Sequence, residues 1–206
     1  MFLPVRPSQL AIDRFLRNSE KLPLSYDPVG IAMSGTHRGD RDEQVVTIGS
    51  GRTDFELARR ALMSWKHYGM NWVTVYPQGA GISVGSVVAV LIRHLGFWSL
   101  NGCRVLYTVG SASDDTERYG FAYGTLTNHA EGGEELFEVF IEPATRQVMY
   151  RIKAISWPRA AAARVGYPIV RLLQARFRRD SAAALQRAIH GGVRLYSEAA
   201  DPGRIG

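Results

Sequence analysis

The chain has 206 residues, 46% hydrophobic and 21% charged, enough to build the core of one ordinary domain. Its single cysteine, Cys103, excludes an intrachain disulfide framework and fits a reducing, cytoplasmic setting. The net charge is +6, and seven arginines (159, 164, 171, 176, 178, 179 and 187) in a segment with one acid, Asp180, account for all of it, so the basic character belongs to one stretch.

The start, MFLPVRPSQLAIDRFL, is broken by Pro4, Arg6, Pro7 and Asp13 and does not read as a secretory signal. Ile12 to Lys21 suits a short helix. Leu22 to Gly30 is held extended by two prolines, and Ser34 to Glu43 is polar and reads as a surface loop. Gln44 to Ile48 is the first substantial strand. The helix after it is expected from Asp54 to Tyr68, with Thr53 and Glu56 as a capping box and Phe55, Ala58, Leu62 and Trp65 on its buried face. Strand, Gly49-Ser50-Gly51, helix invites a dinucleotide-binding reading. It is rejected because Asp54 stands where the third glycine belongs and hairpins follow.

Six further strands are expected: Trp72–Tyr76, Val84–Ile92, Cys103–Val109, Tyr119–Leu126, Glu135–Glu142 and Gln147–Ser156. Linkers such as Asn101-Gly102, Ser111–Thr116 and Pro143-Ala144-Thr145 are short, which makes neighbours antiparallel. The apolar run from Gly79 to Ile92 is too short and glycine-rich to span a bilayer as a helix. Cys103, Val105, Tyr107 and Val109 share a face by alternation, so Cys103 reads as a small buried hydrophobe. Ala160 to Val165 suits a helical turn. Pro168 opens a long helix with an apolar stripe of Ile169, Val170, Leu173, Phe177, Ala184, Leu185 and Ala188, its arginines mostly off the stripe. Gly191-Gly192 is expected to end it.

The most informative stretch is GFAYGTLTNHAEGGEELFEVFIE, Gly120 to Glu142. Phe121, Tyr123 and Thr125 fall on one face of a strand, and Phe137, Val139 and Ile141 on one face of the next. Thr127 to Gly133 reads as the turn between them. Around it stand His129, Glu131, Glu134 and Glu135. The plainest reading is a solvated hairpin end, and the next is the polar lip of a ligand cavity. A metal site is the least supported, because no second histidine is near and the ligand spacing is not distinctive. No metal or cofactor is expected.

The order strand, helix, six antiparallel strands, long helix predicts an α+β helix-grip fold: a curved sheet of about seven strands wrapped around the C-terminal helix, with a cavity between. The expected organisation is residues 1–43 as an N-terminal extension and loop, 44–190 as one domain, and 191–206 as a loose tail. LPLSYDPVG, IGSGRTDFELARRALMSW, NGCRVLYTV, GFAYGTLTNHAEGGEELFEV and IKAISWPRAAAARVGYPIVRLLQARF together resemble a widespread uncharacterised family, the domain of unknown function nineteen-ninety. The resemblance runs from about Leu22 to Phe177. It departs from the family at Thr127, where Pro is common, and at Trp157, where Arg is common. At fold level the pattern looks like the START-like (SRPBCC) superfamily. The resemblance implies a fold and a cavity but supplies no catalytic residues.

The leading expectation is therefore a binding protein for a small apolar or amphipathic ligand, contacted by Tyr107, Phe121, Tyr123, Thr125 and His129. The alternative is an enzyme with His129 as acid or base and Glu131 or Glu134 as its partner. Peripheral contact with an anionic membrane is a further expectation, motivated by Phe97-Trp98 between two strands and by the arginine-rich helix. A closed, pore-forming set of strands is disfavoured by their length and by the terminal helix. Nucleic acid is not an expected partner, since no stacking platform interleaves with the arginines.

Overall fold

Period-two alternation in the second half of the chain produces one curled antiparallel sheet. In the computed structural model, which describes residues 1–35, 39–94, 96–110, 117–159 and 167–199, the strands are β1 (Phe2–Leu3), β2 (Asp40–Ser50), β3 (Val73–Tyr76), β4 (Val87–Arg93), β5 (Trp98–Gly110), β6 (Arg118–Thr125), β7 (Glu131–Ile141) and β8 (Gln147–Pro158). Seven lie in the order β2-β8-β7-β6-β5-β4-β3, and β1 pairs with the start of β5. The helices are α1 (Gln9–Ser19), α2 (Ile31–Ser34), α3 (Gly51–Met63) and α4 (Tyr167–Ala199), with a 3-10 turn at Lys66–Tyr68.

The two faces of the sheet carry different layers. Phe121, Tyr123, Phe137, Val139, Ile141, Tyr150 and Ile152 face inward and pack with Phe55 and Leu62 of α3 and Leu185 and Ile189 of α4. The faces expected for β6 and β7 are those observed. On the outer face, Ile12 of α1 packs with Ala89, Leu91 and Leu100, and Ala32 of α2 packs with Ala122 and Leu136. The N-terminal segment thus covers the back of the sheet. His67 is fully buried in the inner core, stacked on Trp65 and against Phe137, and burial pushes its pKa down to about 3.

Several boundaries differ from the sequence expectation. β7 begins at Glu131, so Gly132 and Gly133 lie in the strand and the turn is confined to residues 127–130. Gly133 has φ of 148°, and a Cβ there would run into the Ile155 carbonyl. β2 begins at Asp40, which shortens the polar loop. β5 begins at Trp98, which places Asn101-Gly102 inside a strand. The capping box does not form. Ser50 is the N-cap, its N–H donates to Asp54 Oδ2 at 2.8 Å, and Glu56 pairs instead with Arg52 and Arg59. α3 ends at Met63, and Trp65 takes a left-handed conformation before the 3-10 turn.

The last helix runs through Gly191-Gly192 to Ala199. Interior glycine costs a helix roughly 1 kcal/mol relative to alanine, too little to stop it alone. Along the expected stripe, Leu173, Phe177 and Ala188 pack on the core and Ala184 and Leu185 are buried, but Ile169 is 59% exposed. The expected linker at 111–116, the helical turn at 160–165 and the tail at 200–206 lie outside the described residues.

Candidate functional site

The sheet curls more than one helix can fill. A cavity of about 830 Å³ remains between its concave face and the N-terminal half of α4. Its walls are mostly apolar, with Val73, Val90, Ile92, Leu173 and Phe177 among them. Two cross-strand rows position its polar groups. Asp42, Ala154, Glu135 and Tyr123 are consecutive partners across β2, β8, β7 and β6. Asp40, Ser156 and Gly133 form the neighbouring row. Gly133 offers no side chain between Glu131 and Glu135, which leaves that part of the wall open.

Glu135 Oε2 accepts a hydrogen bond from the Tyr123 hydroxyl at 2.6 Å, and the Tyr68 hydroxyl lies 2.6 Å from that of Tyr123. With Tyr123 donating to Glu135, Tyr68 donates to Tyr123, and the three form a relay into the core. Glu131 Oε1 accepts from Gln174 Nε2 of α4 at 2.9 Å, and Gln174 also donates to Ser156. Burial raises the pKa of both Glu131 and Glu135 to about 7, with nearby Asp42 adding to each shift. Asp42, at the cavity edge, holds Arg171 with two hydrogen bonds of 2.5 and 2.9 Å and Arg178 at 3.2 Å. Tyr167 donates to Asp40. These contacts tie the start of α4 to β2.

Of the residues expected at the site, Tyr123, Thr125, His129, Glu131 and Glu134 are among those lining the cavity. The Thr125 hydroxyl is already bonded to the Gly133 backbone and to Ser25. His129 Nδ1 accepts the Glu131 backbone N–H at 2.9 Å, so the ring is neutral, and burial lowers its pKa to about 3. Among the described residues no carboxylate bonds to it, so the structure does not show the expected His129–glutamate pair. Phe121 is fully buried in the floor, packed on Trp65 and Phe137, and does not line the cavity.

Glu134 and Tyr107 require a correction. Glu134 borders the cavity, but it sits one residue out of phase with Glu131 and Glu135, and its carboxylate is on the back of the sheet. There it accepts hydrogen bonds from Tyr26 (2.7 Å), Tyr107 (2.6 Å), Gly30 N (2.8 Å) and Ala32 N (3.1 Å). Tyr107 reaches that face because the β5–β6 register shifts between Val105 and Tyr107, which reverses the alternation beyond the bulge. The cavity carboxylate that the site residues named from sequence left out is Glu135. Its face was legible, since it is two residues from Phe137.

Cys103 is fully buried, and burial pushes its thiol up, as suits a core residue. Among the described residues, no group of three or more His, Cys, Asp or Glu side chains is placed to hold a metal ion. No described helix is long and apolar enough to cross a membrane. Trp98 is not in a free loop: it begins β5, packs beside Leu100 and lies under Arg6. Phe97 is 39% exposed and packs on Phe2 and His94. Several arginines of α4 are bound within the protein, Arg171 and Arg178 to Asp42 and Arg176 to Trp72 and Asp180.

A curled antiparallel sheet closed by a long C-terminal helix over a mostly apolar cavity defines a helix-grip protein. The chain belongs to the family described as Domain of unknown function (DUF1990), whose match covers residues 25–184. It is 33% identical over 157 residues to a UPF0548 protein of Dictyostelium discoideum, covering 73% of each chain. It is 31% identical over 209 residues to a UPF0548 protein of Deinococcus radiodurans, covering 91% of this chain and 98% of that one. Among solved structures it is similar to a hypothetical protein from Helicobacter pylori, with TM-score 0.50, 11% identity, and 80% and 95% of the two chains covered. A START superfamily protein from Mycobacterium smegmatis gives TM-score 0.47 at 13% identity, covering 74% and 99%. At these identities the likeness is one of fold alone.

Proposed function

We propose that this protein binds a small hydrophobic or amphipathic ligand in the cavity beneath α4. The observation that carries the reading is the cavity itself: about 830 Å³, mostly apolar, with a few convergent polar groups at Glu131, Glu135, Tyr123 and His129. Ligand pockets of roughly 300–1,000 Å³ have this composition. Ala154 lies on the cavity wall between Asp42 and Glu135, so Ala154→Phe occupies the space a ligand needs. An uncharged apolar fluorophore, N-phenyl-1-naphthylamine, is expected to bind the wild type and to lose most of its affinity for the filled variant. Equal binding to both proteins would place the fluorophore elsewhere and refute the reading.

A second reading, acid/base catalysis on the bound ligand, is favoured by one observation. Two carboxyls face the cavity with pKa raised by burial to about 7, where a group can both take and give a proton. In this reading Glu135 replaces Glu134 in the role expected from the sequence. A compound released from the protein and returned to it should be converted by the wild type and merely bound by Glu135→Gln. Recovery of the unchanged compound from the wild type would end this reading and leave the first intact.

A further inference from the structure

Glu131 and Glu135 lie on the same face of β7, four residues apart, and both line the cavity. Each has one carboxylate oxygen engaged by the protein, through Gln174 and Tyr123 respectively. The other oxygen of each, Glu131 Oε2 and Glu135 Oε1, has no donor among the described residues. The nearest cations do not close on them, because Arg171 and Arg178 both pair with Asp42. The wall beside the acids includes the aromatic rings of Tyr68 and Phe177, 5.1 Å apart between centroids. The cavity therefore brings together two acceptor oxygens without a donor among the described residues and aromatic faces in a mostly apolar setting.

We infer that the ligand of this cavity carries a protonated amine, seated between Glu131 and Glu135 with its apolar part along Leu173 and Phe177. This inference rests on the ligand-binding reading and names the chemistry of its ligand. An ammonium group supplies donors to both free oxygens in charge-assisted hydrogen bonds. It also gains attraction from the neighbouring rings, an effect that strengthens on desolvation. A carboxylate or phosphate group in the same place meets two acids. A neutral hydroxyl satisfies at most one of the oxygens as a donor.

The inference has a pH signature. The groups facing the two acids are Asp40 and Asp42 from β2, Arg171 and Arg178 from α4, Cys103 from β5, Tyr123 from β6, Tyr150 from β8, Tyr68 from the 3-10 turn and His129 from the β6–β7 turn. His129 stays neutral at working pH, and the tyrosines are pushed up by burial. The two glutamates titrate near neutrality, and the Met1 amino group, which burial lowers from 8.0 and which acts on His129, is the other group to titrate in that range. Amine affinity should rise as pH increases from 6 to 8 and the acids ionise, while alcohol affinity stays nearly flat.

The test displaces N-phenyl-1-naphthylamine from the wild type with octylamine, octan-1-ol and octanoate at pH 8. Octylamine is expected to compete about tenfold better than octanol, the margin of one charge-assisted bond over a neutral one, and octanoate is expected to be the weakest. In Glu135→Gln and Glu131→Gln the amine advantage should shrink while octanol is unchanged. Octanol matching the amine, or octanoate exceeding it, overturns the inference and leaves the pocket reading standing. Failure of the fluorophore and all three probes to bind overturns both. The wild-type comparison needs no variant to fold, so an unstable glutamine protein does not blunt the test.

Discussion

Replacing Glu134 by alanine withdraws the acceptor of four hydrogen bonds at once. Two come from the hydroxyls of Tyr26 and Tyr107 and two from the backbone N–H groups of Gly30 and Ala32. Glu134 is 2% exposed, so water does not readily take its place. A hydrogen bond to a charged group contributes about 1.5–3 kcal/mol, and an orphaned buried donor costs about 1–3 kcal/mol. Four bonds do not add in full, because the tyrosines can turn toward solvent and the two N–H groups sit together at the start of α2. A loss of about 3–5 kcal/mol is the expected result, the range seen when one partner of a buried charged contact is removed. Against a total stability of about 5–15 kcal/mol this is a large fraction. Tyr26→Phe and Tyr107→Phe each remove one bond and should cost about 1–2 kcal/mol. Equilibrium urea unfolding followed by fluorescence of the four tryptophans reads all three. A Glu134→Ala protein within about 1 kcal/mol of the wild type at unchanged slope would refute the argument that this carboxylate anchors the N-terminal segment to the back of the sheet.

Three further outcomes are expected. Gly133→Ala should lower stability by several kcal/mol or prevent folding, because the Cβ meets the Ile155 carbonyl and the backbone holds a φ that alanine resists; a melting temperature near that of the wild type contradicts this. The folded-state pKa of Glu131 and of Glu135 is raised to about 7 from an ordinary 4.5, so the stability they lend is full below about pH 4.5 and lost as pH rises through about 7. The Glu131→Gln/Glu135→Gln protein should therefore gain in melting temperature relative to the wild type between pH 5 and 8, and a constant difference across that window would show that neither group titrates there. Asp42→Ala frees Arg171 and Arg178 and should cost about 1–3 kcal/mol, with faster amide exchange in the first turns of α4 than in the segment around Leu185; uniform exchange along the helix would contradict that placement.

Much of the fold was legible because it follows from local periodicity. Phe121 and Tyr123, and then Phe137, Val139 and Ile141, alternate cleanly, and each set faces the core. Phe55, Ala58, Leu62 and Trp65 mark the buried side of α3 and the residues just after it in the same way. The site was harder to read for two reasons. Glycines that usually signal a turn lie instead within β7, which hides where the strand starts and which of the Glu134 and Glu135 carboxylates faces the cavity. Simple alternation puts Tyr107 on the inner face, but a bulge at Val105/Tyr107 moves it to the opposite one. The role of Glu134 had no local signal, because three of its four donors lie more than 100 residues earlier in the chain. Likewise, the arginines of α4 lie off its apolar stripe, and only the fold brings Asp42, 129 residues from Arg171, beside them.

The most direct test of ligand binding is native mass spectrometry of gently purified wild-type protein and Ala154→Phe, with denaturing mass analysis of whatever dissociates. A reproducible small-molecule adduct on the wild type that is absent from the filled variant is the expected result, and its mass and charge behaviour identify the ligand's class. A bare mass for both proteins, together with no binding of N-phenyl-1-naphthylamine to the wild type, would contradict the claim that the cavity beneath α4 is a binding site.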